Sequence, residues 1–92
     1  MNKTKFILEL AERTGRPSRD VREFIDDFLA LTTEVLAREE EVVFLRFGRF
    51  CPRKQPARLV RNPRTGVPVM LDERTTVRFK VGKDLFETIN RK

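Results

Sequence analysis

The sequence predicts an α+β fold in which a helical hairpin precedes an antiparallel sheet with a long two-stranded β-arm and a short C-terminal helix. Apolar residues recur at helical spacing as far as residue 38, and a stretch rich in β-branched and aromatic residues follows. A basic stretch with four prolines then separates these strands from a last strand and helix. A chain of 92 residues has room for one core, so we expect a single domain over residues 1–92.

Two helices form the predicted hairpin. The side-chain oxygen of Asn2 can accept hydrogen bonds from the first turn of a helix, and Gly15 suits the left-handed conformation that ends many helices. Ser18 is the expected N-cap of a second helix that continues to about Arg38. The apolar stripes are Phe6, Ile7, Leu10 and Ala11 on the first helix, and Val21, Phe24, Ile25, Phe28, Leu31 or Thr32, Val35 and Leu36 on the second.

The sheet and the arm follow a polar break at residues 39–41. Residues 42–50 are rich in Val and Phe around Gly48, which predicts two strands or one bent ribbon. Over residues 52–73 the prolines exclude a helix, and Pro63 followed by Gly66 predicts a tight turn. We therefore expect residues 52–73 to form a solvent-exposed arm with Pro63 at its tip. A returning strand over 75–79 and a short helix from Gly82 complete a body of residues 1–51 and 74–92.

The aromatic residues of the body predict a dimer. Without the arm about 70 residues remain, and a body of that size is marginal on its own. Burial of a further Phe side chain contributes about 1.5–3 kcal/mol, so a few such residues shared by two copies would decide whether the fold forms. An ordinary core within one chain is the alternative, and we expect an obligate homodimer. The candidates for the shared core are Phe44, Phe47, Phe50 and Phe79.

The positive charge is concentrated in the second half of the chain. Lys and Arg number 20 against 14 Asp and Glu, a formal net charge of +6. Residues 1–41 carry seven basic and ten acidic side chains, whereas residues 46–64 carry seven basic side chains and no acidic one. A charged run is often only a solvated surface, but a run without compensating acids favours a polyanionic partner.

Composition argues against an enzyme, a metal centre and a membrane protein. The chain has no His, which removes the usual general base near neutral pH and the commonest metal ligand. Its one cysteine, Cys51, cannot form an internal disulfide, which suits a reducing cytoplasm, and we interpret it as a small, semi-buried apolar residue. The longest apolar runs span four residues, too short for a membrane helix. We expect no cofactor, no metal and no small-molecule substrate.

Short motifs distributed along the chain occur in a specific order and spacing. They are Phe47-Gly48-x-Phe50, then Arg61-Asn62-Pro63-x-Thr65-Gly66, then Phe79-Lys80-x-Gly82-Lys83, with an opening Met1-Asn2-Lys3 and a late Asn90. Together they resemble the bacterial HU/IHF family of histone-like DNA-bending proteins over essentially the whole chain.

The resemblance implies an intertwined dimer whose two arms reach around double-stranded DNA in the minor groove. The proline at each arm tip, here Pro63, would intercalate between base pairs and kink the duplex, a wedge role that agrees with general minor-groove chemistry. The positions that would bind DNA are Lys3, Arg46, Arg53, Lys54, Arg58, Arg61, Asn62, Pro63, Arg64, Lys80 and Lys83.

The predicted function is therefore architectural and non-enzymatic: duplex binding with weak sequence preference, bending, and a contribution to chromosome compaction in a bacterial or phage nucleoid. One alternative is a site-specific, IHF-like subunit of a heterodimer, and a less favoured one is a basic RNA-binding protein. Several positions depart from the family pattern: Arg46 stands where a glycine is usual, Leu59-Val60 replaces Thr-Gly, Gln55 and Phe86 replace basic residues, and the glycine that ends the second helix is absent.

Overall fold

The computed structural model describes residues 1–91 and has the predicted α+β architecture. Its elements are α1 (Lys3–Thr14), α2 (Ser18–Ala37), β1 (Val42–Phe44), β2 (Gly48–Gln55), β3 (Arg58–Arg61), β4 (Pro68–Leu71), β5 (Arg74–Val81) and α3 (Lys83–Ile89). Contacts divide the chain into two compact units, Met1–Glu34 and a second that begins at Val35.

Local signals set the ends of α1 as predicted. The Asn2 side-chain oxygen accepts a hydrogen bond from the N–H of Lys5 at 2.9 Å, which satisfies one of the free donors of the first turn. Gly15 has φ 69°, and its N–H donates to the carbonyl of Ala11. Both predicted caps are confirmed.

The start of α2 differs from the prediction by one residue. Ser18 is the first helical residue, because the carbonyl of Pro17 already accepts from the N–H of Val21 at 3.2 Å. Pro17, and not Ser18, therefore occupies the N-cap position, and its ring-fixed φ is compatible with entry into a helix. The core of the first unit lies between the two helices and consists of Ile7, Ala11 and Val21, with Leu10 and Ile25 packed against it.

A left-handed residue ends α2. Glu39 has φ 63°, its N–H donates to the carbonyl of Leu36 at 2.9 Å, and the N–H of Glu40 donates to the carbonyl of Val35 at 3.2 Å. These two hydrogen bonds form a Schellman motif, in which the left-handed position usually holds glycine. The polar break predicted at residues 39–41 is thus the capping turn of α2.

Three antiparallel strands form the main sheet in the order β1-β2-β5. The turn between β1 and β2 is closed by the Phe47 N–H, which donates to the carbonyl of Phe44 at 3.0 Å. Residues 42–50 are thus two strands joined by a turn. Pairing of β2 with β5 runs from Gly48 opposite Val81 to Gln55 opposite Arg74. The base of the predicted arm therefore continues the main sheet without a break at residue 52.

The outer part of the arm is a separate two-stranded sheet of β3 and β4. Its pairing runs from Arg58 opposite Leu71 to Arg61 opposite Pro68. Residues 56–57 and 72–73 lie in neither ladder, so the ribbon predicted as continuous over 52–73 is interrupted. Pro56, which has no N–H for a ladder hydrogen bond, lies at this interruption.

Candidate nucleic-acid interface

One face of the main sheet is basic. Side chains alternate between the two faces of a strand, and residues directly opposite each other on paired strands share a face. Arg49 pairs with Lys80, Cys51 with Arg78, and Arg53 with Thr76, so these positions lie on one face. We call the four cations Arg49, Arg53, Arg78 and Lys80 the basic face; all four are exposed.

Two members of the basic face, Arg49 and Arg78, are not among the residues predicted from the sequence to bind DNA. Their signal was available, because Arg49 has the same strand parity as Arg53, and Arg78 has that of Lys80. The register of β2 against β5 was needed to place both pairs on one face. Arg49 also lies 3.8 Å from a carboxylate oxygen of Glu41, an exposed and weak ion pair.

The opposite face of the sheet carries the aromatic residues predicted to form a dimer core. Phe50 pairs with Phe79, and their ring centroids are 5.1 Å apart. Phe47 makes an edge-to-face contact with Phe79 at 6.0 Å. Within one chain this cluster stays accessible to solvent: Phe79 is 44% exposed, Phe47 50% and Phe44 39%. Phe side chains in a protein core are typically buried, and within one chain these three are not.

Cys51 occupies the basic-face side of β2 but is itself buried, with 6% of its surface exposed. It makes no disulfide. Its burial agrees with the interpretation of this residue as a small apolar side chain.

Arg46 is engaged within the chain. Its Nε donates to Oδ2 of Asp84 at 2.7 Å and its Nη2 to Oδ1 at 2.6 Å, a two-pronged ion pair. The hydrogen bond from Arg46 lowers the pKa of Asp84, and the hydrogen bond to Asp84 raises the pKa of Arg46. The guanidinium predicted to contact DNA is therefore already paired with a carboxylate.

Lys54 is also paired, and it has the opposite strand parity to Arg53. Its Nζ lies 3.3 Å from a carboxylate oxygen of Glu39 and 3.7 Å from one of Glu73. The hydrogen bond to Glu39 and the negative charges of both carboxylates raise the pKa of Lys54. Lys54, one of the residues predicted to bind DNA, is therefore paired with carboxylates, whereas Arg53 lies on the basic face.

The arm tip is organised by Asn62. Its N–H donates to the carbonyl of Val67 at 2.9 Å, and its own carbonyl accepts from Gly66 at 2.7 Å. Its side-chain oxygen accepts from the N–H of Arg64 at 2.8 Å, the pattern of an Asx turn around Pro63. Pro63 is exposed in this loop and the neighbouring Arg64 is also exposed.

The remaining predicted cations lie at three places. Arg58 and Arg61 are the first and last residues of strand β3 in the arm, and Lys83 is the first residue of α3. Lys3, in the first unit, pairs with Asp26 through Nζ and Oδ1 at 2.5 Å, with both side chains half exposed.

Within residues 1–91 no cluster of three or more acidic or cysteine side chains is placed to hold a metal ion. No helix in that range is long and apolar enough to cross a membrane.

The sequence matches a known protein family and several curated relatives over nearly its whole length. A family described as bacterial DNA-binding protein matches residues 1–90. DNA-binding protein HU of Thermotoga maritima is 38% identical, and the match covers 97% of this chain and 99% of that protein. DNA-binding protein HU-1 of Halalkalibacterium halodurans is 36% identical with the same coverage.

Among solved structures, an Anabaena HU–DNA cocrystal structure covers 100% of both chains with a TM-score of 0.88 at 24% identity, which supports the fold. HU from Thermotoga maritima matches with a TM-score of 0.68 at 30% identity and covers 98% of this chain and 100% of its own. From the family match over nearly the whole chain and the identity to its curated relatives, this chain belongs to the bacterial DNA-binding protein family typified by HU.

Proposed function

We propose that the protein is a non-enzymatic, architectural DNA-binding protein that acts as a dimer and bends the duplex. The observation that carries the proposal is the basic face of β2 and β5, the two strands from which the arm that ends at Pro63 extends. Relatives named DNA-binding protein HU and a structural neighbour crystallised with DNA support it.

The basic face supplies the phosphate contacts. Arg49 and Lys80 lie opposite each other, and Arg53 and Arg78 lie further along the same two strands. Three of these four cations are Arg, whose planar fork binds phosphate oxygens in pairs. Such contacts release counterions and hold the duplex without reading its sequence, so binding has weak sequence preference.

The arm supplies the bend. Its strands present Arg58 and Arg61, and the Asn62 turn holds Pro63 at the exposed tip. Arg side chains suit the negative potential of a narrow minor groove, and an apolar wedge inserted there unstacks a base step at a cost of about a few kcal/mol. The additional contact of bent DNA with the arm offsets this cost. Two arms in a dimer would produce two kinks, and bending of this kind compacts a bacterial nucleoid.

The aromatic cluster supports the dimer. Phe44, Phe47 and Phe79 are each between 39% and 50% exposed in one chain. Covering such a Phe contributes at most about 1.5–3 kcal/mol, and a second copy of this chain carries the same apolar face, as a two-fold interface requires.

The experiment measures bending by fluorescence transfer between dyes on the two ends of a duplex. Wild type should shorten the end-to-end distance, and Pro63→Ala should shorten it less while it retains most of its affinity. Pro17→Ala, outside the arm, is the matched control and should bend DNA like wild type. Equal bending by wild type and Pro63→Ala would contradict the wedge role, and a wild-type protein that fails to bind duplex DNA would contradict the proposed function.

A further inference from the structure

The turn between β1 and β2 holds the start of α3 through the backbone. The carbonyl of Arg46 accepts from the N–H of Asp84 at 3.0 Å and from that of Leu85 at 3.3 Å. The first N–H groups of a helix have no partner within it and need an acceptor from elsewhere. The N-cap residue, Gly82, has no side chain to provide one. The Arg46 carbonyl therefore performs the capping of α3.

The side chain of the same residue holds α3 a second time. The two hydrogen bonds of the Arg46 guanidinium to Asp84, at 2.6 and 2.7 Å, have the parallel geometry that only a planar fork provides. Arg46 has φ 68°, a left-handed conformation that is unfavourable for a residue with a side chain. The carboxylate partner of Arg46 lies 38 residues away in the sequence. The ion pair is the contact that arginine adds where glycine would satisfy the backbone.

The hydrogen bonds between the β1–β2 turn and α3 restrict the backbone of Lys83, because the residues on both sides of it are held. The Gly82 N–H donates to the carbonyl of Phe47 at 2.7 Å, and a Cβ on Gly82 would lie 2.6 Å from the Arg46 carbonyl carbon. Asp84 is held by both the carbonyl and the guanidinium of Arg46. The backbone of Lys83 therefore has little freedom relative to the turn.

We propose that Arg46 is a positioning residue for DNA binding: it holds the first turn of α3 against the β1–β2 turn and thereby orients Lys83 toward a phosphate. The inference rests on the proposed function. It assigns the Arg46 guanidinium to Asp84 in the DNA complex as well as in the free protein. The competing assignment is a direct phosphate contact, for which the guanidinium would leave the carboxylate.

Asp84→Asn separates the two assignments, because it removes a negative charge from a protein that binds a polyanion. If Arg46 acts through Asp84, this variant should bind a mixed-sequence duplex roughly fivefold more weakly, and its slope of log K against log salt should fall by about one, as for Lys83→Gln. Arg46→Lys keeps the charge but not the fork, and it should lose the same affinity. The double variant Arg46→Lys, Asp84→Asn should be no weaker than either single variant.

A second measurement reports on α3 without DNA. Hydrogen exchange of the Asp84 and Leu85 amides should accelerate in Arg46→Lys, while exchange of the Gly66 amide at the arm tip stays at the wild-type rate. Arg46→Gly keeps the left-handed backbone and the capping carbonyl, so it should fold and show the same loss of affinity as Arg46→Lys. Arg49→Gln, on the basic face, is the matched control: it should lower the salt slope and leave the α3 amides unchanged.

The outcomes are distinct. Equal or tighter binding by Asp84→Asn, or full affinity in Arg46→Lys, would mean that Arg46 contacts phosphate directly, and the inference would be wrong. A double variant weaker than both singles would also overturn it. Absence of duplex binding by the wild-type protein would instead refute the proposed function.

Discussion

Gly82→Ala tests how tightly α3 is joined to the sheet. A Cβ at this position would lie 2.6 Å from the carbonyl carbon and the carbonyl oxygen of Arg46 and 2.7 Å from the carbonyl carbon of Phe47. All three are backbone atoms. No side-chain rotation relieves these contacts, so the start of α3 must move by about 0.8 Å to reach ordinary van der Waals distances. A shift of that size stretches the three hydrogen bonds that Gly82, Asp84 and Leu85 donate to the turn.

The expected loss follows from those bonds. Each contributes about 0.5–1.5 kcal/mol, and alanine recovers about 0.4–1 kcal/mol by restricting the unfolded chain. With about 1 kcal/mol for each of the three bonds and about 0.7 kcal/mol recovered, we expect Gly82→Ala to lower the free energy of unfolding by about 2 kcal/mol. Urea denaturation monitored by circular dichroism measures it, at one chain concentration because the stability of a dimer depends on concentration.

Gly15→Ala is the control for the generic effect of replacing glycine. Gly15 has φ 69°, and no atom lies within 4 Å of the position that a Cβ would take, so alanine there costs only its left-handed strain, about 1 kcal/mol. If Gly82→Ala is no more destabilising than Gly15→Ala, the close approach of α3 to the turn is not as described.

Three further predictions concern charged residues. Glu39→Gly and Glu39→Ala both lose the exposed ion pair with Lys54, so the free energy of unfolding in urea should be about 0.5–1 kcal/mol higher for Glu39→Gly than for Glu39→Ala, because glycine adopts the left-handed C-terminal position of α2 without strain. In binding titrations across salt concentrations, Arg53→Gln should lower the salt slope by about one, while Lys54→Gln, already paired with carboxylates, should leave it near the wild-type value. Arg46 lowers the pKa of Asp84, so their ion pair stabilises the folded state above the ordinary aspartate pKa and this contribution is lost as pH falls below about 4. The urea midpoint should accordingly drop less on acidification in Asp84→Asn than in wild type; an equal drop would argue against the pair.

Features encoded by neighbouring residues were predictable from the sequence. The cap at Asn2, the left-handed Gly15 and the turn around Pro63 each depend on a few consecutive residues, and the structure has all three. The N-cap of α2 differs from the prediction: Ser18 has the better capping side chain, but the first helical hydrogen bond is accepted by the carbonyl of Pro17.

Features that depend on residues distant in the sequence were not predictable in this way. The run of cations without acids between residues 46 and 64 favoured a polyanionic partner, but in the structure Asp84 pairs with Arg46, and Glu39 and Glu73 pair with Lys54. Charge counted along a sequence cannot reveal an ion-pair partner that is distant in the sequence and close in the fold. The same register brings Arg49 beside Lys80 and makes the basic face larger than the motifs alone implied.

The gap in the arm between the two ladders has a mechanical consequence. Residues 56–57 and 72–73 connect an inner ribbon of β2 and β5 to an outer ribbon of β3 and β4. Rotation at these connectors breaks no ladder hydrogen bond, whereas bending within either ribbon does. A bend at these connectors would therefore move the outer ribbon relative to the inner one while both ladders keep their register.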